Sequence, residues 1–307
     1  MTRLVFIPSF LVLGSLLAAG PGFNGRWDIT VKGEPRNRAW WLGIEGAGTP
    51  HPKGSFISAF GGALNPIEEI SVHGNQLTFG FRHDGRHLVY KATLAGGRLQ
   101  GIFEEDGKQK LTFTGVRAPV IRDKEDGTWK KASPVDLFNG RDMSGWKPLI
   151  PNLPLGWKVE NGVLVNTPKA NNLITDRKFW NFELDAEFRV GPHSNSGIGL
   201  RGRYEVQILE DYGRPPDAHS NGALYSRIVP SVNASKPAGE WQTYHIRLVG
   251  RTVTVALNGR KIIDKGEIDG LTAIAVDPNE GEPGPLILQG DHGSVEFRKL
   301  VLTPLTH

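Results

Sequence analysis

Short runs in which apolar and polar residues alternate are the feature that most constrains how this chain can fold. Successive side chains of a β-strand leave on opposite faces, so a period of two predicts strands that bury one face. Residues 182–189 and 252–257 alternate in this way, and Asn258-Gly259 after the second run is typical of a hairpin turn. No stretch has the periodicity of a helix longer than a turn or two. The sequence therefore predicts an all-β protein.

Composition agrees with this fold class and narrows the function. The 39 glycines and 21 prolines fall mostly between the apolar runs, as expected for a chain with many turns. The net charge of +4 is small and spread along the chain, so we expect no nucleic-acid partner. The chain has no cysteine, which excludes disulfides, a cysteine nucleophile and thiolate metal sites.

The N-terminus has the layout of a secretory signal peptide. Arg3 supplies a positive charge, residues 4–17 are almost all apolar, and Ala18-Ala19-Gly20 provide the small residues of a cleavage site. The apolar run is short for a bilayer span, which argues against a membrane anchor. We expect residues 1–20 to be removed and the mature protein to be exported, to the periplasm or the outside, without integration into the membrane.

Residues 21–118 predict a small all-β domain, either an antiparallel barrel or a sandwich. The opening Asn24-Gly25-Arg26-Trp27 resembles the start of lipocalin-like barrels, and turn pairs such as Asp84-Gly85 separate the candidate strands. Residues 119–133 are charged and weakly hydrophobic, which is typical of a solvated linker before a second domain at 134–307. The candidate strands of the first domain are residues 26–32, 38–45, 54–60, 68–72, 76–81, 87–94, 98–104 and 110–116.

A row of polar side chains follows one candidate strand of the second domain. If the strand continues from residue 198 to 208, its apolar residues face the core and the intervening polar ones share the other face. Guanidinium, carboxylate and amide groups suit the hydroxyls and carbonyls of a ligand. A substrate-binding row and a solvated outer face remain equally open from alternation alone. The row consists of Arg201, Arg203, Glu205 and Gln207.

A second cluster, Gln289-Gly290-Asp291-His292-Gly293, follows a short apolar strand. It places an acid and an imidazole at a corner that glycines loosen. Histidine titrates near neutrality, so the corner can host a general base or a metal ligand. A structural loop histidine is the alternative.

These clusters belong to a series of motifs that resembles the 3-keto-disaccharide hydrolase family. The series covers residues 134–305 and leaves residues 21–118 outside. One position departs from the pattern, because Glu210 stands where many relatives have aspartate. The motifs are Asp136-Leu137-Phe138-Asn139-Gly140 with Gly145-Trp146, Trp157-Lys158-Val159-Glu160-Asn161-Gly162, Asn195-Ser196-Gly197-Ile198, Tyr204-Glu205-Val206-Gln207-Ile208-Leu209, Gly222-Ala223-Leu224-Tyr225, Gly239-Glu240-Trp241, Leu257-Asn258-Gly259 and Leu288-Gln289-Gly290-Asp291-His292-Gly293.

The resemblance implies a concanavalin A-like jelly-roll β-sandwich with a concave sugar-binding sheet. It also implies cleavage of glycosides whose sugar is already a ketone at carbon 3. Such a ketone acidifies the hydrogen on carbon 2, so a modest base can remove it and the glycosidic oxygen can leave from carbon 1. Hydration of the product then completes a net hydrolysis. The resemblance thus implies that the protein's binding partner is a carbohydrate.

The roles of the site residues are hypotheses that rest on the two clusters and on the resemblance. The catalytic candidates are Glu205 and His292 as bases, with Glu210 and Asp291 as further participants. The substrate-binding candidates are Arg201, Gln207, Tyr225, Gln289 and Asn195. A divalent metal ion held by the carboxylates and His292 would polarise the ketone, but the sequence does not establish it.

Two alternatives stay open at this point. Conventional glycoside hydrolysis needs two opposed carboxylates, which Glu205 and Glu210 could supply. A non-catalytic carbohydrate-binding module would instead present tryptophan platforms, for which Trp146, Trp157, Trp180 and Trp241 are the candidates.

Overall fold

The computed structural model describes residues 22–36, 38–58 and 62–307, and all regular secondary structure within these ranges is β. Every pairing between the named strands is antiparallel, which confirms the predicted all-β class. The predicted signal peptide, residues 1–20, lies outside the described residues. None of the residues in these ranges forms a helix long and apolar enough to cross a membrane.

The first nine strands form one antiparallel sheet that curls into a barrel. Their order in the sheet is β4-β3-β2-β1-β9-β8-β7-β6-β5, so strands that follow each other in the chain pair, except β4 and β5 at the two edges, and β1 pairs with β9. The backbone N–H of Ile67 donates to Gly54 in β3, and that of Glu68 donates to Gly80 in β6, which joins the two edges. The strands are β1 (Gly25–Lys32), β2 (Trp40–Glu45), β3 (Lys53–Ile57), β4 (Asn65–Pro66), β5 (Glu69–His73), β6 (Gln76–His83), β7 (Arg86–Ala95), β8 (Arg98–Glu105) and β9 (Lys108–Arg117).

Aromatic rings fill the interior of this barrel. Trp40 is fully buried, and its ring centroid lies 5.7 Å from that of Tyr90 and 6.0 Å from that of Phe103. Trp27 in the opening motif is also fully buried, and its indole N–H donates to the carbonyl of Phe23. The residues of each strand that point into the barrel, every second one along the strand, thus supply the buried apolar area that stabilises the barrel.

The remaining strands form a sandwich of two antiparallel sheets. The larger sheet has the order β13-β14-β23-β16-β19-β20-β21, with β10 and β11 also pairing β23, and the smaller one has the order β12-β15-β22-β17-β18. This is the predicted jelly-roll architecture. The strands are β10 (Lys130–Lys131), β11 (Val135–Asp136), β12 (Trp146–Pro148), β13 (Trp157–Glu160), β14 (Val163–Asn166), β15 (Leu173–Thr175), β16 (Phe182–Val190), β17 (Asn195–Leu200), β18 (Tyr204–Leu209), β19 (Gln242–Val249), β20 (Thr252–Leu257), β21 (Arg260–Glu267), β22 (Ile287–Leu288) and β23 (Val295–Thr306).

The β17–β18 hairpin is buried on both faces, unlike an ordinary outer strand of a sandwich. Ile198, Val206 and Ile208 face the core between the sheets and are fully buried. Glu205 and Gln207 on the opposite face are also buried. A second layer must therefore cover that opposite face, and part of it comes from the barrel.

The barrel packs against the sandwich through the residues around the start of β2. The backbone N–H of Ala39 donates to the carbonyl of Ala275 at 2.9 Å. Trp41 belongs to the apolar cluster of the sandwich rather than to that of the barrel, and the guanidinium of Arg227 lies 4.2 Å from its ring centroid. Gly270 makes this approach possible, because a Cβ at that position would collide with the indole of Trp41.

The charges of residues 119–133, which predict a solvated linker, are paired with the sandwich in part. The carboxylate of Asp123 accepts hydrogen bonds of 2.7 Å from the side chains of Trp180 and Asn181. Glu125 pairs with Arg247 at 2.7 Å, and β10 within this segment pairs with β23. The prediction that these charges have no partner is therefore wrong for Asp123 and Glu125, whereas Arg122, Lys124 and Lys130 are exposed.

Candidate active site

A small cavity lies between the smaller sheet of the sandwich and the barrel. The β17–β18 hairpin supplies one wall, and the corner after β22 supplies another. The barrel closes the cavity from the side. The lining residues are Arg38, Gly62, Asn195, Glu205, Gln207, Tyr225, Ala273, Gln289 and His292. The two clusters that the sequence singled out therefore meet at one cavity.

Glu205 is the buried carboxylate of the cavity, with an exposed fraction of 3%. Gly197 lies on the neighbouring strand, and a Cβ there would collide with Oε1 of Glu205, so glycine leaves the space that the carboxylate occupies. Burial raises the pKa of Glu205 to about 7, although the charges of Arg38 and His292 act in the opposite direction. Near neutral pH both protonation states are populated, so this group can donate or accept a proton.

His292 is held by the carboxylate beside it. Its Nδ1 lies 2.8 Å from Oδ1 of Asp291, and the other oxygen of Asp291 accepts a hydrogen bond of 3.1 Å from Nη2 of Arg38. An ionised carboxylate only accepts hydrogen bonds, so Nδ1 carries the proton and Nε2 of the neutral ring is the basic atom.

Asp291 is ionised at neutral pH. Burial opposes its ionisation, but the hydrogen bond with His292 and the charges of His292, Arg38 and Arg36 together hold its pKa below the ordinary value. Asn172 fixes the corner, because its Oδ1 accepts the backbone N–H groups of both Gly290 and Asp291. The arrangement is a preorganised Arg–Asp–His chain.

Two buried amides leave acceptors without a partner. Gln207 and Gln289 have exposed fractions of 1% and 5%, and among the described residues nothing donates a hydrogen bond to Oε1 of either one. Nε2 of Gln207 lies 3.5 Å from Oδ1 of Asn195, which lines the same cavity. Buried acceptors are rarely unpaired, so these two oxygens are suited to the hydroxyl donors of a ligand.

Tyr225 lies beside Glu205, and its backbone N–H donates to the carbonyl of that residue at 2.9 Å. Burial raises the pKa of Tyr225, and the charge of Glu205 acts in the same direction while that of Arg38 opposes it. The phenol therefore keeps its proton and can donate a hydrogen bond into the cavity.

Arg38 is a charged residue of the cavity lining that the sequence analysis did not predict. Its side chain is almost fully buried, and Nη1 donates to the carbonyl of Ala273 at 3.1 Å while Nη2 pairs with Asp291. It lies in the barrel, outside the motifs of the resemblance, and 253 positions from Asp291 in the chain. No local pattern marks it, because its role depends on how the two regions pack.

Arg201 is not where the sequence analysis predicted it, and the prediction that it lies in a row with Glu205 and Gln207 is wrong. Strand β17 ends at Leu200, and Arg201 begins the turn with a φ of +52°. Its guanidinium donates to the carbonyls of Trp180 and Gly250 and to Oδ1 of Asn181. All of it is buried, so it is a structural residue of the turn. Arg203 likewise leaves the row and pairs with Asp277 at 2.6 Å.

Glu210 does not reach the cavity either. It follows the end of β18, and its carboxylate accepts the backbone N–H of His193 at 3.3 Å and lies 3.9 Å from a guanidinium nitrogen of Arg214. The predicted pairing of Glu205 with Glu210 therefore has no common space, because the strand direction carries the second carboxylate away from the first.

The four candidate tryptophans do not line the cavity. Trp146 and Trp157 are buried, and each indole N–H donates to a backbone carbonyl at 2.6 Å. Trp180 stacks on Arg201, and Trp241 lies beside the guanidinium groups of Arg189 and Arg298. These rings serve packing and cation–π contacts.

The residues present do not fit a metal site. In the described part of the chain, no group of three or more histidine, aspartate or glutamate side chains is arranged to hold a metal ion. Asp291 already uses both oxygens in contacts with Arg38 and His292.

The sandwich region of the chain is similar to known proteins. A model of the 3-keto-alpha-glucoside-1,2-lyase-like domain matches residues 133–303. A 3-keto-disaccharide hydrolase from Bacteroides thetaiotaomicron is 25% identical over 167 residues, which cover 42% of this chain and 57% of that relative. The chain thus spans less than two thirds of the length of this curated relative.

Solved structures of candidate glycosyl hydrolases from Parabacteroides distasonis are also similar. One has a TM-score of 0.50 and 29% identity, over 60% of this chain and 90% of its own. Another has a TM-score of 0.48 and 24% identity, over 56% and 94%. Because the family model spans more than half of the 307 residues, the chain belongs to the 3-keto-alpha-glucoside-1,2-lyase-like domain family.

Proposed function

We propose that this protein cleaves the glycosidic bond of sugars that carry a ketone at carbon 3. The observation that supports this most is the convergence of an oriented histidine, His292, and a buried carboxyl group, Glu205, on one small cavity. The unpaired acceptors of Gln207 and Gln289 in the same cavity suit a ligand rich in hydroxyls. The family membership and the named relatives agree with a carbohydrate-active enzyme.

The reaction begins with removal of the proton on carbon 2 by Nε2 of His292. The electron pair of that C–H bond moves into the C2–C3 bond, and the ketone becomes an enolate. The enolate then reforms the ketone, a C1–C2 double bond appears, and the glycosidic oxygen leaves carbon 1 with a proton. Water then adds across the C1–C2 double bond: carbon 1 gains the hydroxyl, carbon 2 takes back the proton held by His292, and the carboxylate of Glu205 takes a proton from the water. The product is the 3-keto sugar with a free hydroxyl on carbon 1, so the net reaction is a hydrolysis.

Each proton in this scheme has a residue of the cavity beside it. Asp291 stabilises the imidazolium that His292 becomes, because Nδ1 donates to an ionised carboxylate. Glu205, with a pKa of about 7, supplies the proton to the leaving oxygen. The enolate oxygen accepts the phenol hydrogen of Tyr225 and lies in the positive field of Arg38.

The two alternatives receive less support from the geometry. Conventional hydrolysis needs a second carboxylate across the bond, and Glu205 is the one carboxylate among the described residues that line the cavity. A binding module would present an aromatic strip, whereas Tyr225 is the one aromatic side chain in the described part of that lining. Ionisable groups that converge within a small cavity favour catalysis.

The test is incubation of the protein with a 3-keto-glucoside and, in parallel, with its unoxidised parent, each with and without a chelator. We expect release of the leaving group from the oxidised sugar alone. Release from the parent sugar alone would overturn the proposed mechanism. A loss of activity in chelator would show that a cation is also needed.

We also propose that the protein acts outside the cytoplasm, on the basis of the signal-peptide pattern in residues 1–20. The test is expression of the full chain with N-terminal sequencing of the exported fraction. A mature N-terminus near residue 20 is expected, and retention of the intact chain in the cytoplasm would contradict it.

A further inference from the structure

A second groove lies next to the cavity and shares Arg38 with its lining. Two residues of the Arg–Asp–His chain, Arg38 and Asp291, line this groove. The barrel contributes Arg36 and Arg38 to it, and the sandwich contributes the rest. A ligand that fills the cavity and extends past His292 would therefore enter this groove.

One wall of the groove is apolar and firmly held. Leu149, Ile150, Leu153 and Pro154 line it, and Leu153 is 52% exposed, which is unusual for a large apolar side chain in this protein. Asn171 clamps the segment, because its amide both accepts the N–H of Ile150 and donates to the carbonyl of the same residue. The wall is thus formed before any ligand arrives.

The opposite side of the groove is basic. Arg36, Arg38 and Lys169 line it, and Asp291 is the one acidic residue among the described residues of the lining. Asp291 is already paired with Arg38 and His292, and the charge of Arg36 also reaches it. No carboxylate of the described residues lies within ion-pair distance of Lys169, so three cations face one carboxylate and this side of the groove has a surplus of positive charge.

Lys169 is also tied to the catalytic corner. Its backbone N–H donates to the carbonyl of His292 at 3.2 Å, and its φ of +63° lies in the left-handed region that side chains seldom adopt. The position of this lysine relative to the proposed base is therefore set by the backbone. An anionic group of a ligand held here would lie close to the bond that breaks.

We infer, on the basis of the proposed function, that this groove binds the leaving group and favours one with an apolar ring and a carboxylate. The apolar wall suits the ring, and the surplus of positive charge suits the acid. The substrate class is then a 3-keto-glycoside of a hydroxylated aromatic acid. Residues of both the barrel and the sandwich determine this specificity.

The test compares the 3-keto-glucoside of 4-hydroxybenzoic acid with that of its methyl ester. The wild type is expected to cleave the acid with a kcat/KM about five-fold higher than the ester, since each exposed charge contributes modestly. The double variant Arg36→Gln/Lys169→Gln should lose this preference, because cleavage of the acid should slow several-fold more than cleavage of the ester. High salt should reduce the preference of the wild type in the same way.

A matched control is Lys158→Gln, because Lys158 is exposed and pairs with Glu160 outside the groove. This variant should keep the full preference for the acid. Equal kcat/KM for acid and ester in the wild type, or an equal loss on both substrates in the double variant, would overturn this inference alone. Failure to cleave either oxidised glycoside would overturn the proposed function and this inference with it.

Discussion

The interior of the barrel and the covered face of the sandwich are both buried, but they bury different chemistry. Inside the barrel, Trp40, Tyr90 and Phe103 pack ring against ring. On the covered face of the sandwich, Glu205 and Gln207 are as inaccessible as those rings. Burial of apolar rings stabilises a fold, whereas burial of a carboxyl group and of unpaired amides opposes folding.

The difference shows which surface carries the function. Buried polar groups that oppose folding are typically retained where they serve binding or catalysis. Glu205 is such a group, because burial raises its pKa. The barrel also has a buried carboxyl group, Asp28, whose pKa is raised, first by burial and then by the charge of Glu280 of the sandwich. Because the charge of Glu280 reaches it, Asp28 belongs to the contact between the two regions rather than to the aromatic interior.

The largest expected effect is a loss of kcat when His292 is replaced, compared with replacement of a similar histidine elsewhere. His292→Ala should lower kcat on a 3-keto-glucoside by about a hundred- to ten-thousand-fold, because the base is lost. The melting temperature should hardly change, since the ring is partly exposed. His245→Ala is the control, because His245 and Asp185 make the same 2.8 Å contact on the larger sheet. Similar kcat losses in both variants would remove the special role of His292.

The corresponding effect in the barrel should fall on stability. Trp40→Ala removes a fully buried ring, and we expect the free energy of unfolding to fall by about 3–5 kcal/mol. Urea unfolding measures this loss, and kcat well below the melting temperature should stay close to that of the wild type. A loss below about 1 kcal/mol would show that the aromatic interior is not what stabilises the barrel.

A smaller effect should come from Arg38, where the two regions meet. Arg38→Met is expected to lower kcat/KM by about ten- to a hundred-fold, as removal of a group that orients a catalytic residue commonly does. The charge of Arg38 lowers the pKa of Glu205 and of Asp291, so its loss should move the pH profile of kcat/KM to higher pH.

The control for Arg38 is another buried arginine of the same interface. Arg227→Met removes the cation beside Trp41 but leaves the cavity lining intact. This variant should lose stability without a shift of the pH profile. If Arg38→Met also leaves the profile in place, Arg38 is only a structural contact.

The last expected effect is a change in how stability depends on pH. Native Glu205 holds its proton up to a pKa of about 7, whereas the unfolded chain releases it near the ordinary value of 4.5. Between these values the unfolded state binds fewer protons, so this group makes stability fall as pH rises.

Glu205→Gln should therefore gain stability relative to the wild type as pH rises from about 4.5 to 7, with no further gain above that range. Urea unfolding at several pH values measures the difference between the two proteins. Glu160→Gln, at an exposed carboxylate, should show no such trend. A difference that is independent of pH would mean that Glu205 is not held protonated by burial.

Local pattern predicted the strands well. Residues 98–104 and 110–116 were expected as strands and lie within β8 (Arg98–Glu105) and β9 (Lys108–Arg117). The two-residue strand β4 was not predicted, because a strand so short has no alternation to detect. The hairpin turn at Asn258-Gly259 was predicted from its own two residues, and both have positive φ.

The site residues within strand β18 were predicted correctly, whereas the prediction failed for Arg201, which lies beyond the end of strand β17. Glu205 and Gln207 share a face because both lie within β18. Alternation could not be extended to Arg201, since the backbone turns after Leu200 and the side chain leaves in another direction. The corner at His292 was found through the motif alone, because no periodicity describes a loop.

By itself, the sequence determined the all-β class, the approximate strands and the polar groups of the smaller sheet, since these depend on neighbours in the chain and on the period of a strand. Only the tertiary structure decided that the barrel covers those groups, that Arg38 joins Asp291 across 253 positions, and that Glu205 is buried. The physical reason is that solvent exclusion and the contact of distant charges arise from the packing of two separate cores, which no local pattern encodes.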